Sequence, residues 1–358
     1  MKKLYYLLLM LLLAGPLVVT AGNPERYGQA GGVQLLINGW SRSSALNGLN
    51  VANSMGIESM ITNPAGLVMN SRTEIVFAHT RWLEGSEVFL NTFGLNQSVG
   101  RSRTNFIGAS VTALSLGEFV RTTVDQPDGT LGTFSPTMLN ISLGYAHKFL
   151  DGRINVGFVV KVIHESIPDA QSNAFAFDAG VQYASRNKRF KLGVALRNIG
   201  PTARFQGGGL SARANLGGSN SNNNNLVYTA AAPYQLPSVL TGGLSYDFLL
   251  GRRDSNNLAK HILTPMVAYY ANAYSYDQTG IGLEYSFHKY LKLMFSYMYE
   301  RGITSKESSR NAHSGFATGA SVSIPLSKRN DLAIGIDYSY RTTYWFNGTH
   351  SFGARLNL

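Results

Sequence analysis

The feature that most constrains this chain is an alternation of apolar and polar residues, repeated in stretches of roughly ten from Thr73 onward. From Leu139, the residues Leu139, Ile141, Leu143, Tyr145 and Phe149 interleave with Asn140, Ser142, Gly144, Ala146 and Lys148. The pattern returns as Ile154, Val156, Phe158, Val160 and Val162 against Asn155, Gly157 and Lys161. Next come Phe175, Phe177, Val181 and Tyr183 against Ala174, Ala176, Asp178 and Gln182. It recurs in Phe190, Leu192, Val194 and Leu196, in Leu332, Ile334, Ile336, Tyr338 and Tyr340, and finally in Phe352, Ala354, Leu356 and Leu358. Successive side chains of a strand point to opposite faces, so a period of two gives each strand one apolar and one polar face.

A soluble sandwich accommodates any one such strand, with its apolar face turned to a core. The set fits a different arrangement. Aromatic residues gather at the stretch ends (Tyr145, Phe149, Tyr183, Phe190, Phe248, Phe287, Tyr290, Tyr338, Tyr340), where a membrane barrel carries its two girdles. The spacing therefore predicts an all-β chain, a transmembrane antiparallel β-barrel of about 14 strands. They begin near residues 73, 86, 103, 136, 153, 173, 189, 238, 260, 278, 290, 315, 331 and 348. Pro265 has no amide hydrogen to give a ladder, which predicts a bulge or kink in its strand.

The connections alternate as well. Long ones are expected at 124–135, 165–172, 200–237 and 302–314. Short basic ones hold Arg101 with Arg103, Asp151-Gly152-Arg153, Arg186 to Arg189, Arg252-Arg253, His288-Lys289 and Lys328-Arg329. Such sorting predicts an outer-membrane barrel with long extracellular loops and short basic periplasmic turns.

The first residues support an exported chain. Lys2 and Lys3 precede an apolar stretch at 7–13 and a small-residue site at Val19-Thr20-Ala21, so 1–21 reads as a signal peptide. Without Lys2 and Lys3 the balance is 29 basic against 20 acidic residues, a net +9. In an exported chain with no nucleic-acid-reading motif, that excess points away from nucleic acid and toward anionic lipid or an acidic partner. No cysteine is present, which removes disulfides, thiolate metal sites and thiol nucleophiles. Stability must come from burial and strand pairing, as a closed barrel in lipid provides.

Residues 22–72 precede the first strand and read as an N-terminal hatch or plug. The remaining chain, 73–358, is the barrel. No nucleophile–base arrangement, metal-ligand spacing or cofactor motif stands out, so the chain reads as no enzyme, with no cofactor and no metal. His79, His147, His164 and His261 are scattered through strands as interface or lumen residues. Lys148, Lys161, Asp178, Arg197, Asp337 and Arg355 fall on the polar face and read as lumen charges. Their signs are mixed and not sorted into a ring, which favours a mutually neutralising network over a selective pore lining. The loop at 201–237, with Gly207-Gly208-Gly209 and Asn222 to Asn225, reads as a mobile segment that a partner would order. Arg204, Phe205, Arg213, Tyr228 and Tyr234 are its candidate contact residues.

Asn63-Pro64-Ala65-Gly66-Leu67, just before the first strand, is the most informative short stretch, since Pro64 and Gly66 suit a tight entry into a wall. In this position it resembles the hatch–barrel junction of the FadL-like superfamily of outer-membrane barrels. Within that superfamily the chain resembles the PorV/PorQ family of the Bacteroidota type IX secretion system, most of all its PorV-like branch. The resemblance rests on that stretch, on His79-Thr80-Arg81-Trp82-Leu83 and on Phe175 to Tyr183 with its Phe177-Asp178-Ala179-Gly180 centre. It also takes in Arg197-Asn198-Ile199-Gly200-Pro201 and Leu236-Pro237 leading into Gly242-Gly243-Leu244-Ser245-Tyr246. It implies a non-enzymatic component of protein secretion, with a large translocon barrel, cargo C-terminal signal domains and a surface sortase complex as partners. The alternative within the superfamily is a channel for hydrophobic small molecules.

Overall fold

A computed structural model describes residues 24–68, 72–123, 125–214, 225–253, 259–288, 290–326 and 332–358. The signal-peptide stretch, Asn222 to Asn224 and the Lys328-Arg329 turn lie outside them.

The alternating stretches are strands: β1 Thr73–Trp82, β2 Val88–Val99, β3 Asn105–Ser115, β4 Thr137–Phe149, β5 Ile154–Ile167, β6 Ala170–Ala184 and β7 Phe190–Ile199. They continue as β8 Val239–Tyr246 (extended by Phe248–Arg253), β9 Ala259–Asn272, β10 Gln278–Phe287, β11 Leu291–Glu300, β12 His313–Pro325, β13 Ala333–Thr343 and β14 Thr349–Asn357. Each pairs antiparallel with its sequence neighbour, β1 with β14, and the sheet of fifteen segments closes on itself because β8 also pairs with β9. The two segments of β8 are one wall strand interrupted at Asp247, which leaves a closed 14-strand antiparallel barrel.

The wall is inside out relative to a soluble protein. Along β6, Ser172, Asp178 and Gln182 are buried while Phe175 and Phe177 are more than half exposed. Leu143, Phe158, Ile281, Phe295 and Ile336 extend the same outer apolar surface around the barrel. Such a surface is stable only where lipid covers it, and closure leaves no sheet edge unpaired.

Three local features depart from the sequence reading. The loop expected at 165–172 is reduced to Pro168-Asp169, because Glu165, Ser166, Gln171 and Ser172 stay in register across the β5–β6 ladder. Polar residues look like loop in a sequence, but Glu165 and Ser172 are buried on the inner face of a ladder whose backbone pairs all the same. Pro265 does not break its own strand, for β9 keeps register with β10 through Pro265↔Leu283. The interruption falls opposite it, where β8 loses its pairing to β9 between Ser245 and Phe248. A third irregularity is a bulge between β6 and β7 at Asn198, whose φ of 58° bends the backbone beside Asp178.

The core is the lumen. Residues 24–68 lie inside the barrel as short helical turns and one helix, α1 Ser41–Ala45. Trp40, Ile57, Met60 and Leu67 pack on Val76, Ala78, Phe106, Ala146 and Val159 of the wall. On another side Ala45, Leu46, Leu49 and Val51 pack on Val239, Met266, Tyr270, Met294 and Met298.

Candidate functional site

The interior is best built from the wall inward. Gly94, Gly108, Gly144, Gly157, Gly180, Gly193 and Gly243 stand on seven successive strands, β2 to β8, and all are buried. A Cβ on Gly108 or Gly144 would lie 2.7 Å from Leu67 side-chain atoms, and one on Gly94 2.5 Å from Ile57. At Gly157, Gly180 and Gly193 it would overlap the Pro64 carbonyl, the Asn63 amide and the Val51 carbonyl. These glycines let the N-terminal segment seat flush on the wall, closer than any side chain permits.

Asn63 fixes that seat. Its Oδ1 accepts the Ala65 amide at 3.1 Å, capping the Pro64–Leu67 turn, while Nδ2 donates to the carbonyls of Val51 at 3.0 Å and Val181 at 3.1 Å. Pro64 occupies the first position of the turn, where its missing N–H costs nothing. Nearer the barrel termini Arg42 reaches from α1 to Glu58 at 2.8 Å, Glu74 at 3.7 Å and Asp337 at 3.8 Å. Burial works to lower its pKa, but the carboxylates of Glu58, Asp337 and Glu74 outweigh it and raise it, so the guanidinium stays charged.

The six sequence-identified lumen charges separate into four groups. Lys161 pairs with Asp178 at 2.5 Å and donates to Asn198 Oδ1 at 2.8 Å, while the Asn198 amide donates to Asp178 at 2.7 Å, so this pair holds the bulge. Arg355 meets Asp337 at 3.4 Å and joins the Arg42 cluster. Lys148 sits at the β4 end with its ammonium 5.5 Å over the Phe106 ring. Arg197 alone turns to the other half of the lumen.

There, at the end opposite the barrel termini, a cavity of about 330 Å³ opens above the N-terminal segment. Leu36, Ile37, Ile61, Trp82, Met298 and Ile303 give it apolar walls, and Arg197, Arg310 and Arg341 give it cations. Arg197 donates to the Ile61 carbonyl and lies 5.6 Å over the Tyr270 ring, and Arg341 lies 5.7 Å from the Trp82 ring. Each leaves its Nε without a partner. Neither forms an ion pair with a carboxylate among the described residues. Glu300, the one acid lining the cavity among the described residues, accepts instead from Gln278 at 2.6 Å. Buried guanidiniums with open donors beside apolar walls are suited to an anionic group on an apolar body.

The cavity is roofed by the start of the N-terminal segment and the long loop. Arg26 donates to Tyr274 at 2.7 Å and Gln235 at 3.0 Å, and Tyr27 donates to the Arg310 carbonyl at 3.1 Å. Within 201–237 the base is docked, with Ala203 bridged to Tyr234 and Gln206 to Gln171. Tyr234 donates to Glu165 at 2.6 Å and exchanges a hydrogen bond with Ser172 at 2.8 Å. Burial, then the Glu165 bond, pushes its phenol up to about 12. Phe205 packs 5.9 Å from the Tyr234 ring, so both are engaged within the protein. Arg204 and Tyr228 are exposed, and Arg213 lies in the Ser211–Ala214 strand that pairs with Asn225–Tyr228. The loop thus has a docked base, beyond which Ser211–Ala214 pairs with Asn225–Tyr228.

Sequence reading had not singled out Arg42, Arg310 or Tyr270. Arg341 follows Tyr340 on the opposite, polar face of its stretch, but its lack of a carboxylate partner among the described residues is a three-dimensional fact.

No family model matches the sequence, and no curated protein matches it. Among solved structures the chain is similar to the Ralstonia pickettii toluene transporter TbuX, with 14% identity over 89% of this chain and 97% of that one, at a TM-score of 0.50. It is similar also to the P. putida toluene transporter TodX, with 12% identity over the same shares and a TM-score of 0.50. The likeness is one of fold, a closed 14-strand antiparallel barrel. At such identity the likeness carries the architecture and not the ligand.

Proposed function

We propose that this chain is a non-enzymatic outer-membrane barrel that takes up a hydrophobic small molecule bearing an acidic group in the cavity opposite its termini. The observation that carries this reading is the pair of guanidiniums, Arg197 and Arg341, held beside apolar walls with neither ion-paired to a carboxylate among the described residues. An apolar ligand body fills the space between Trp82, Met298 and Ile61, and its anion takes the open donors. The shared architecture with two toluene transporters supports small-molecule traffic. In this reading the loop side faces outward and the basic turns face the periplasm.

A second reading, a component of type IX secretion, is supported by a different observation. The N-terminal segment is seated glycine by glycine on the wall, which suits a barrel that serves as a docking body and not a conduit. Exposed Arg204 and Tyr228 would then meet cargo signal domains, the large translocon barrel or the sortase complex.

Purification from native membranes in mild detergent, with mass spectrometry of both proteins and extracted small molecules, separates the two. Recovery of an amphipathic acid without a protein partner supports uptake. Recovery of a very large barrel or a sortase, with no such acid, overturns it in favour of secretion.

A further inference from the structure

At the end that carries both barrel termini, three successive turns around the wall hold uncompensated cations. Arg101 lies between β2 and β3, Arg153 between β4 and β5, and Arg186, Lys188 and Arg189 between β6 and β7. None of them forms an ion pair among the described residues. Asp247, whose amide donates to the Arg189 carbonyl at 2.9 Å, is occupied by Lys191 at 2.8 Å. Asp151 is the exposed acid beside this arc. At the opposite end signs are mixed, with Arg81 against Glu84 and Arg121 against Asp169.

The depth of the arc identifies its occupant. Phe149 and Phe190, exposed on the outer face, end and begin the strands that these turns join. Aromatic rings at strand ends mark the membrane interface, so cations within a few residues of them stand at headgroup level. A crescent of cations spread at one depth along the wall matches a lipid leaflet better than a compact protein epitope. We infer that these turns form a collar that selects anionic phospholipid headgroups in the leaflet at the termini end. The collar would hold the barrel at a fixed depth, on the side where the N-terminal segment enters the wall. Near an anionic surface each cation engaged contributes about a five-fold preference, screened by salt.

The full chain in nanodiscs of phosphatidylcholine with a minority of phosphatidylglycerol provides the test, using spin-labelled forms of each lipid to read the immobilised fraction. The wild type is expected to prefer phosphatidylglycerol several-fold at low salt. Replacing Arg101, Arg186, Lys188 and Arg189 with Gln should abolish the preference, whereas Arg101→Lys with Arg186→Lys should keep it. Arg81→Gln with Arg121→Gln, at the opposite end, should leave the lipid preference unchanged. Heat-modifiable gel migration confirms that each variant is a folded barrel. Equal association of the two lipids with the wild type, or a preference that survives loss of the four cations, overturns the inference. So does an acidic protein that binds these turns while lipid selectivity is absent.

Discussion

One residue shows how much a single side chain can fix. Asn63 caps a turn, ties that turn to Val51 of its own segment and to Val181 of the wall, and is fully buried while doing so. Asn63→Ala leaves the Ala65 amide uncapped and removes the Nδ2 link to Val51 and Val181, a loss of about 1–3 kcal/mol by the usual cost of a lost cap and a lost hydrogen bond. Denaturant titration should show the N-terminal segment becoming protease-sensitive early, while heat-modifiable migration of the barrel is retained. Tyr234 gives a pH-dependent counterpart at the loop base. Its folded pKa, raised to about 12 by burial and then by Glu165, lies above the ordinary value of 10.0, so the neutral phenol stabilises the docked loop. That contribution is full below pH 10 and is lost as pH rises through about 12. Proteolysis within 201–237 should accelerate across that window in the wild type and show no such step in Tyr234→Phe. The Asn-Pro-Ala-Gly-Leu stretch was legible as a junction because Pro and Gly constrain backbone directly. Its wall partners, more than a hundred residues away in sequence, were not.

Among the elements, strands were legible and their exceptions were not. Alternation located the wall because one face meets lipid and the other a filled lumen, a contrast every residue of a strand reports. Pro265 misled because a missing donor disturbs whichever neighbour it faces, and here that neighbour is β8, not its own strand. Glycine misled differently. Gly144 and Gly157 fall on the polar face of their stretches like any lumen residue, yet the inward set on β2 to β8 exists to admit the N-terminal segment. Gly180→Val places two methyl groups where the Asn63 amide sits. The expected outcome is a folded barrel whose segment 24–68 is displaced and cleaved by added protease, while Gly242→Val, with open space at that position, leaves it protected. Equal protection in both variants would show that the glycines are not a seat.

For the whole molecule, the lumen divides into a locked half and an open half. Arg42 locks the first by joining Glu58 of its own segment to Glu74 and Asp337 of the wall. Arg42→Ala strands three buried carboxylates beside Arg355 alone, and about 3–5 kcal/mol of stability should be lost from the seated segment. Amide hydrogen exchange within 41–61 is the measurement, with faster exchange there and an unchanged wall as the outcome. The open half ends in the cavity, where Arg197 and Arg341 keep unused donors. Binding of lauric acid and of methyl laurate to the purified barrel, compared with the Arg197→Gln, Arg341→Gln double variant, tests that half most directly. Lauric acid should bind about ten- to a hundred-fold tighter than its ester in the wild type, by the worth of a charge-assisted hydrogen bond, and the preference should vanish in the variant. Equal affinity for acid and ester in the wild type would contradict an anion site in this cavity.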